Sequence, residues 1–234
     1  MSANKVKQEL GQAANKEKAV ILTRFFKTGP GQYGAGDKFL GVTVPVQRAV
    51  VKKFVNLPLP EIEKLLASPY HEHRLTAVLI LVEQYAKAGD KERAAIVKFY
   101  LAHAKSVNNW DLVDLSAPKI VGEWLVERPD EKLLARLVAA ENLWERRIAV
   151  LATFAFIKRG KFTPTLSLAK KLLADQHDLM HKAVGWMLRE VGKRDVKVLR
   201  DFLDHYAKRM PRTMLRYAIE KFGPEERAKY LKAA

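Results

Sequence analysis

The chain has 234 residues, 48% hydrophobic and 29% charged, and its 42 lysines and arginines outnumber 26 aspartates and glutamates to leave a net charge of +16. This length and apolar content specify a folded chain with a sizeable core and exclude a disordered basic tail, while the charge calls for a polyanionic partner, nucleic acid ahead of an anionic membrane surface. The absence of cysteine excludes disulfides, thiolate zinc sites and thiol catalysis together.

The opening stretch, MSANKVKQELGQAANKEK, is polar and has no apolar signal core. No apolar run approaches the ~20 residues of a membrane span; the longest, Leu75 to Val82, is flanked by Arg74 and Glu83. A soluble protein of the cytoplasm is expected, with no part in a membrane. Val20 to Phe26 follows as an apolar-rich helical segment. The glycine-rich stretch Thr28 to Gly36 has no Lys-Ser/Thr ending and no helix behind it, so it is not a phosphate-binding P-loop. Phe39 to Val42 is too short for a strand, and Thr43-Val44-Pro45 opens a helix with proline in its first turn.

A repeat emerges after Pro60. The segments EKLLASPYHEHRLTAVLILV (63–82), LARLVAAENLWERRIAVLATF (134–154) and AKKLLADQHDLMHKAVGWMLR (169–189) share one plan. An apolar pair closes one helix, a polar turn follows, and a second apolar helix starts. The pairs Leu65-Leu66, Leu137-Val138 and Leu172-Leu173 lie 72 and 35 residues apart, and half of 72 places a further copy near residue 101, where Leu101-Ala102 stands. A period near 35 with two helices per unit is the mark of an α-solenoid, with room for about six repeats. The fold class expected is all-α: one solenoid domain over 1–234 whose second helices line a concave basic groove, with residues 1–38 the least well matched part. Arg74, Asp111, Arg147 and Lys182 each fall within about one turn of a second-helix start and would line that groove, or would cap and solvate those helix starts.

At the repeat near residue 101 stands SVNNWDLVDLSAP (106–118). Trp110 and Asp114 are i and i+4 and share a helix face, with Asp111 beside them. Pro118 denies the Asp114 carbonyl its usual helical partner, so the helix bends or restarts there. Asp111 fits a helix-start role. Asp114, a turn further in, is either the salt-bridge partner of a groove arginine or a catalytic group. Cleavage of a glycosidic bond passes through a sugar with oxocarbenium character, which a carboxylate stabilises.

WDLVDLSAP (110–118), WERRIAVL (144–151) and KAVGWMLRE (182–190) together resemble the AlkD-like DNA alkylation repair glycosylases, over about Phe39 to Lys221. The resemblance implies a solenoid of HEAT-like repeats that cradles duplex DNA, working as a monomer without cofactor or metal. It implies hydrolysis of the bond between deoxyribose and a purine alkylated at N3 or N7, such as 3-methyladenine or 7-methylguanine. It makes Asp114 the catalytic carboxylate, Trp110 and Trp186 the holders of the damaged nucleotide, and Arg147 a contact to the DNA backbone. The residues agree with this: an N3- or N7-alkylated purine is already cationic and leaves without a general acid. The alternative is a basic helical-repeat module that binds DNA without chemistry.

Remaining features read as structural. Trp124 sits among apolar residues and is expected in the core, and Trp144 packs at the turn of its repeat. His177 and His181 have i, i+4 spacing but no third ligand, and His71 and His73 have the wrong spacing for a shared metal.

Overall fold

The computed structural model describes residues 1–233, and the chain is helical throughout, with no strand among the described residues. It falls into two compact units, Met1–Ile120 and Val121 to the C-terminus. The first holds α1 (Ala3–Gln12), α2 (Lys16–Phe25), α3 (Val44–Lys53), α4 (Leu59–Leu66), α5 (His71–Lys87), α6 (Asp90–Ala102) and α7 (Trp110–Ser116). Its centre is α5, which packs against α1, α3, α4 and α7. Every residue of α5 from His71 to Val82 is buried, as expected of a helix surrounded on all sides. That burial includes His71, Glu72, His73 and Arg74, four polar side chains that must each find partners inside the protein.

The second unit holds α8 (Glu123–Glu127), α9 (Glu131–Val138), α10 (Leu143–Ile157), α11 (Thr163–Lys171), α12 (Asp178–Gly192), α13 (Val196–Tyr206), α14 (Arg212–Ala218) and α15 (Pro224–Ala233). Here α10, α12 and α14 pack in a row, with α9 and α11 on α10 and α11 and α13 on α12. The backbones of α12 and α14 come close at Gly185, where a Cβ would stand 2.4 Å from the Met214 carbonyl oxygen. Only glycine lets α12 and α14 meet that closely.

The repeat read from spacing is present as helix pairs. Leu65-Leu66, Leu101-Ala102 and Leu137-Val138 end α4, α6 and α9, and Leu172-Leu173 follows α11 directly. The second helices α5, α7, α10 and α12 open just after the polar turns. The pair α13–α14 continues the plan and makes five pairs among the described residues, against the six or so that the period suggested. Asn or Asp caps set many of the starts: Asn142 accepts from Trp144 and Glu145 N–H, Asp130 from Leu133, and Asp195 from Val198. Each such cap contributes about 1 kcal/mol. After Ser116 the chain passes through a π-helical turn, Pro118–Gly122, before α8, the break that Pro118 requires.

One tryptophan departs from its expected place, and the other keeps it. Trp124 is not in the core: it is part-exposed, with the Arg128 guanidinium 4.3 Å from its ring. Trp144 is the buried one, at the turn between α9 and α10.

Candidate active site

The start of α7 is built with care. Asn109 is fully buried in extended conformation, and its side-chain oxygen accepts the Trp110 N–H at 2.8 Å. Leu112, Val113 and Ser116 turn into the core, which leaves Trp110, Asp111 and Asp114 partly exposed. Ser116 accepts or donates to the wholly buried Tyr100 hydroxyl at 2.8 Å. Burial pushes that phenol well above its ordinary pKa, and the nearby Asp114 charge adds to the shift.

Trp110 is held from several sides. Its indole N–H donates to the Tyr33 hydroxyl at 3.3 Å, and its ring stacks on Phe26 with centroids 5.4 Å apart. Phe25 meets it edge-on at 6.0 Å and is itself 59% exposed. Phe26 carries the stack inward to Phe39 at 5.2 Å and to the His71 ring at 4.6 Å. Each aromatic pair adds roughly 0.5–1.5 kcal/mol beyond area burial, so the indole is rigidly placed before any ligand arrives.

Beneath the rings lies a buried charge network. His71 Nε2 is 2.9 Å from Asp111 Oδ2 and its Nδ1 is 3.5 Å from Asp37 Oδ2. Asp37 also accepts from Arg74 Nη2 at 2.6 Å and from the Asn109 amide at 3.4 Å. Burial favours the neutral imidazole, but the Asp111 charge and hydrogen bond, with Asp37 adding, outweigh burial and Arg74, and the His71 pKa is pushed up to about 9. Two residues on, His73 has no carboxylate partner and bonds to Ser68 Oγ at 2.7 Å. Burial, with Lys7 and Arg74 adding, pulls its pKa down to about 4.

The loop that supplies Asp37 and Phe39 is tied to α5 by Glu72, whose buried carboxylate accepts the backbone N–H groups of Leu40, Gly41 and Val42. Gly41 has φ +81, and a Cβ there would lie 2.0 Å from the Asn15 carbonyl oxygen. This contact seats α2, and hence Phe26. A largely apolar cavity of about 230 Å³ remains between α2, this loop and α5, with Phe25, Phe26, His71 and Asp111 in its lining.

In the second unit, Trp186 is part-exposed on α12 and donates its indole N–H to Glu190 Oε1 at 3.3 Å. Glu190 is buried and also pairs with Lys193 at 2.6 Å and Arg194 at 3.3 Å. Those partners overcome its burial and hold its carboxyl below the usual range. Arg147 is 4% exposed and donates Nη1 to the Leu179 carbonyl at 2.6 Å, at the start of α12. That bond ties α10 to the start of α12.

Of the four residues expected to line a groove, Arg74 is buried and spent on Asp37 and the Ser68 carbonyl, so that expectation is corrected for it. Asp111 faces His71, and the cap of α7 is Asn109. Lys182 pairs with Asp178 at 2.6 Å. His177 caps α12 and His181 bonds to the Asp175 carbonyl. Sequence reasoning missed Phe26, Tyr33, Asp37, Phe39 and the ionic role of His71. The only signals were an aspartate closing a glycine-rich loop and a His-x-His that drew attention as a metal pair.

Residues 6–222 match the model of a family described as "DNA alkylation repair enzyme". The chain belongs to that family. A solved structure titled "Predicted DNA alkylation repair enzyme from Enterococcus faecalis" has the same fold, with a TM-score of 0.72 at 19% identity over 90% of this chain and 97% of that one. No curated protein matches the sequence significantly. In this DNA alkylation repair family member the matched span includes Phe26, Tyr33 and Trp110 of the first unit and Trp186 and Glu190 of the second, and ends before α15. Among its described residues no helix is long and apolar enough to cross a membrane.

Proposed function

We propose that this member of the DNA alkylation repair family is a monofunctional DNA glycosylase that releases N3- and N7-alkylated purines, such as 3-methyladenine and 7-methylguanine, from duplex DNA. One observation carries the reading. A part-exposed carboxylate, Asp114, stands one helical turn from a rigidly held, part-exposed indole, Trp110, in a chain of net charge +16. A carboxylate costs affinity on a phosphate-binding surface, and one placed beside an aromatic face can offset the positive charge of a sugar losing its base.

The chemistry asked of these residues is small. The bond from C1′ of the sugar to the purine nitrogen breaks with its electron pair going to the base. An alkylated purine, cationic beforehand, then departs neutral and needs no proton. Positive charge develops on C1′ and the ring oxygen, and Asp114 offsets it. Water adds at C1′ and releases a proton, leaving an abasic site. Both Trp110 and Trp186 have their indole N–H groups occupied, by Tyr33 and Glu190. What each offers a ligand is therefore a ring face, suited to a cationic base or a sugar edge.

The test is base release from duplex DNA carrying 7-methylguanine. Wild type releases base, and Asp114→Asn loses about 100-fold or more of the rate while binding DNA at least as tightly. Release by the variant at the wild-type rate would remove Asp114 from the chemistry. Tight binding without release by either protein would instead favour a non-catalytic DNA-binding module.

A further inference from the structure

Resting on that reading, we propose that His71 is a positioning residue, acting as an imidazolium clamped between Asp37 and Asp111 to fix the start of α7 and so the placement of Trp110. His71 lies outside the motif that contains Trp110 and Asp114, and three observations point to it.

The first is that both ring nitrogens of His71 face carboxylates: Nε2 faces Asp111 of α7, and Nδ1 faces Asp37 of the 28–43 loop. A neutral imidazole has one N–H to donate and would leave one of these carboxylates facing a lone pair; only the protonated ring donates to both. The side chains of His71, Asp37 and Asp111 are 3%, 5% and 13% exposed, which leaves little room for water to relieve the mismatch. The second is that the network reaches the α7 cap. Asp37 holds the Asn109 amide, and Asn109 caps Trp110 N–H. The third is that the His71 ring also packs on Phe26, which in turn stacks on the Trp110 indole. A proton on His71 therefore supports Trp110 through two routes, one polar and one aromatic.

The charged groups around His71 are few. Asp37 faces it from the loop and Asp111 from α7; Glu72 and Arg74 neighbour it on α5; Lys18 of α2 lines the same cavity. Glu72 is committed to three backbone N–H groups and Arg74 to Asp37, so the two facing aspartates set the balance. Their pull is what lifts the His71 pKa to about 9 against burial.

The experiment is a pH series from 6.5 to 10.5 on the full chain, recording the His71 imidazole and Trp110 indole N–H resonances by NMR. Initial-rate base release from 7-methylguanine DNA is measured across the same series. In the wild type the Trp110 resonance moves with the same alkaline midpoint as His71, and base release declines with it. Asp111→Asn, which keeps volume but removes the charge, moves both midpoints down by about one pH unit or more. His71→Gln places the Trp110 resonance in its high-pH position throughout and lowers release about 10- to 100-fold, as a misplaced binding group does, with no alkaline limb left. A Trp110 resonance that holds steady while His71 loses its proton overturns the proposal, as does an Asp111→Asn midpoint that stays at the wild-type value. Should neither protein release base, the glycosylase reading fails, and the Trp110 resonance still decides the role of His71.

Discussion

Trp110 and the start of α7 owe their place to partners far along the sequence. Trp110 and Asp114 were legible because helix geometry puts i and i+4 on one face, and both lie in α7. Their supports were not, since Tyr33 is 77 positions from Trp110, Asp37 is 72 from Asn109 and His71 is 40 from Asp111. Periodicity carries no information over such distances. Gly41 shows the same limit: nothing local marks it, yet it sits at φ +81 against the Asn15 carbonyl. Gly41→Ala is expected to cost about 2–4 kcal/mol, from backbone strain together with a clash that only a shift of α2 relieves. Thermal unfolding measures the loss. Because α2 carries Phe25 and Phe26, the variant also loses the Trp110 stack, so its intrinsic fluorescence should move toward that of an exposed indole even below its melting temperature. A Gly41→Ala protein of wild-type stability would mean that the loop and α2 do not meet as described.

Element boundaries followed from sequence more readily than side-chain roles did. The 35-residue period and the apolar pairs located the ends of α4, α6 and α9, because a helix buries one face and must then turn. The burial of the first turn of α5 was not legible, since HEHR reads as a solvated start. Inside the protein these residues give α5 a pH dependence on both sides of neutrality. The His71 pKa is raised to about 9 when folded, so its contribution is complete below the unfolded value near 6.5 and is lost as pH rises through 9. That contribution is on the order of 3 kcal/mol, from 1.36 kcal/mol per unit. His73 runs the other way. Its folded pKa is lowered to about 4, so its contribution is present above 6.5 and lost as pH falls through 4. Asp37, held below its ordinary value by His71 and Arg74 in spite of burial, steepens the acid side further. Denaturant melts across pH 4 to 10 should therefore show maximal stability at about pH 6–7. His71→Gln should flatten the alkaline limb and, by releasing Asp37, ease the acid limb as well, while His73→Gln eases the acid limb alone. Equal effects of both variants on both limbs would show that the two histidines do not titrate independently of the fold's other charges.

For the whole molecule, the excess of 42 basic over 26 acidic residues predicted a polyanion partner, and membership of the DNA alkylation repair family agrees with DNA. The excess is not all available to a ligand, however. Arg74 is buried on Asp37, Arg146 is part-buried and pairs with Asp175 at 2.8 Å, and Arg147 is buried with Nη1 on the Leu179 carbonyl. Salt dependence separates the two kinds of cation. Each phosphate neutralised by a protein cation contributes a slope of about −0.9 to log K against log salt. Binding to an undamaged duplex should fall about 100-fold or more between 50 and 200 mM salt, which corresponds to four or more phosphate contacts. Because Arg147 sits in the seam between α10 and α12, Arg147→Gln should leave the slope unchanged, while lowering stability through the lost bond to the start of α12. Asp114→Asn should raise affinity with no change of slope, since it removes a repulsion and adds no cation. If Arg147→Gln instead flattens the slope by about 0.9, its guanidinium reaches a phosphate when DNA is bound. The α10–α12 seam would then have to open on binding, and the sequence resemblance would have placed that residue better than the geometry of the free protein does.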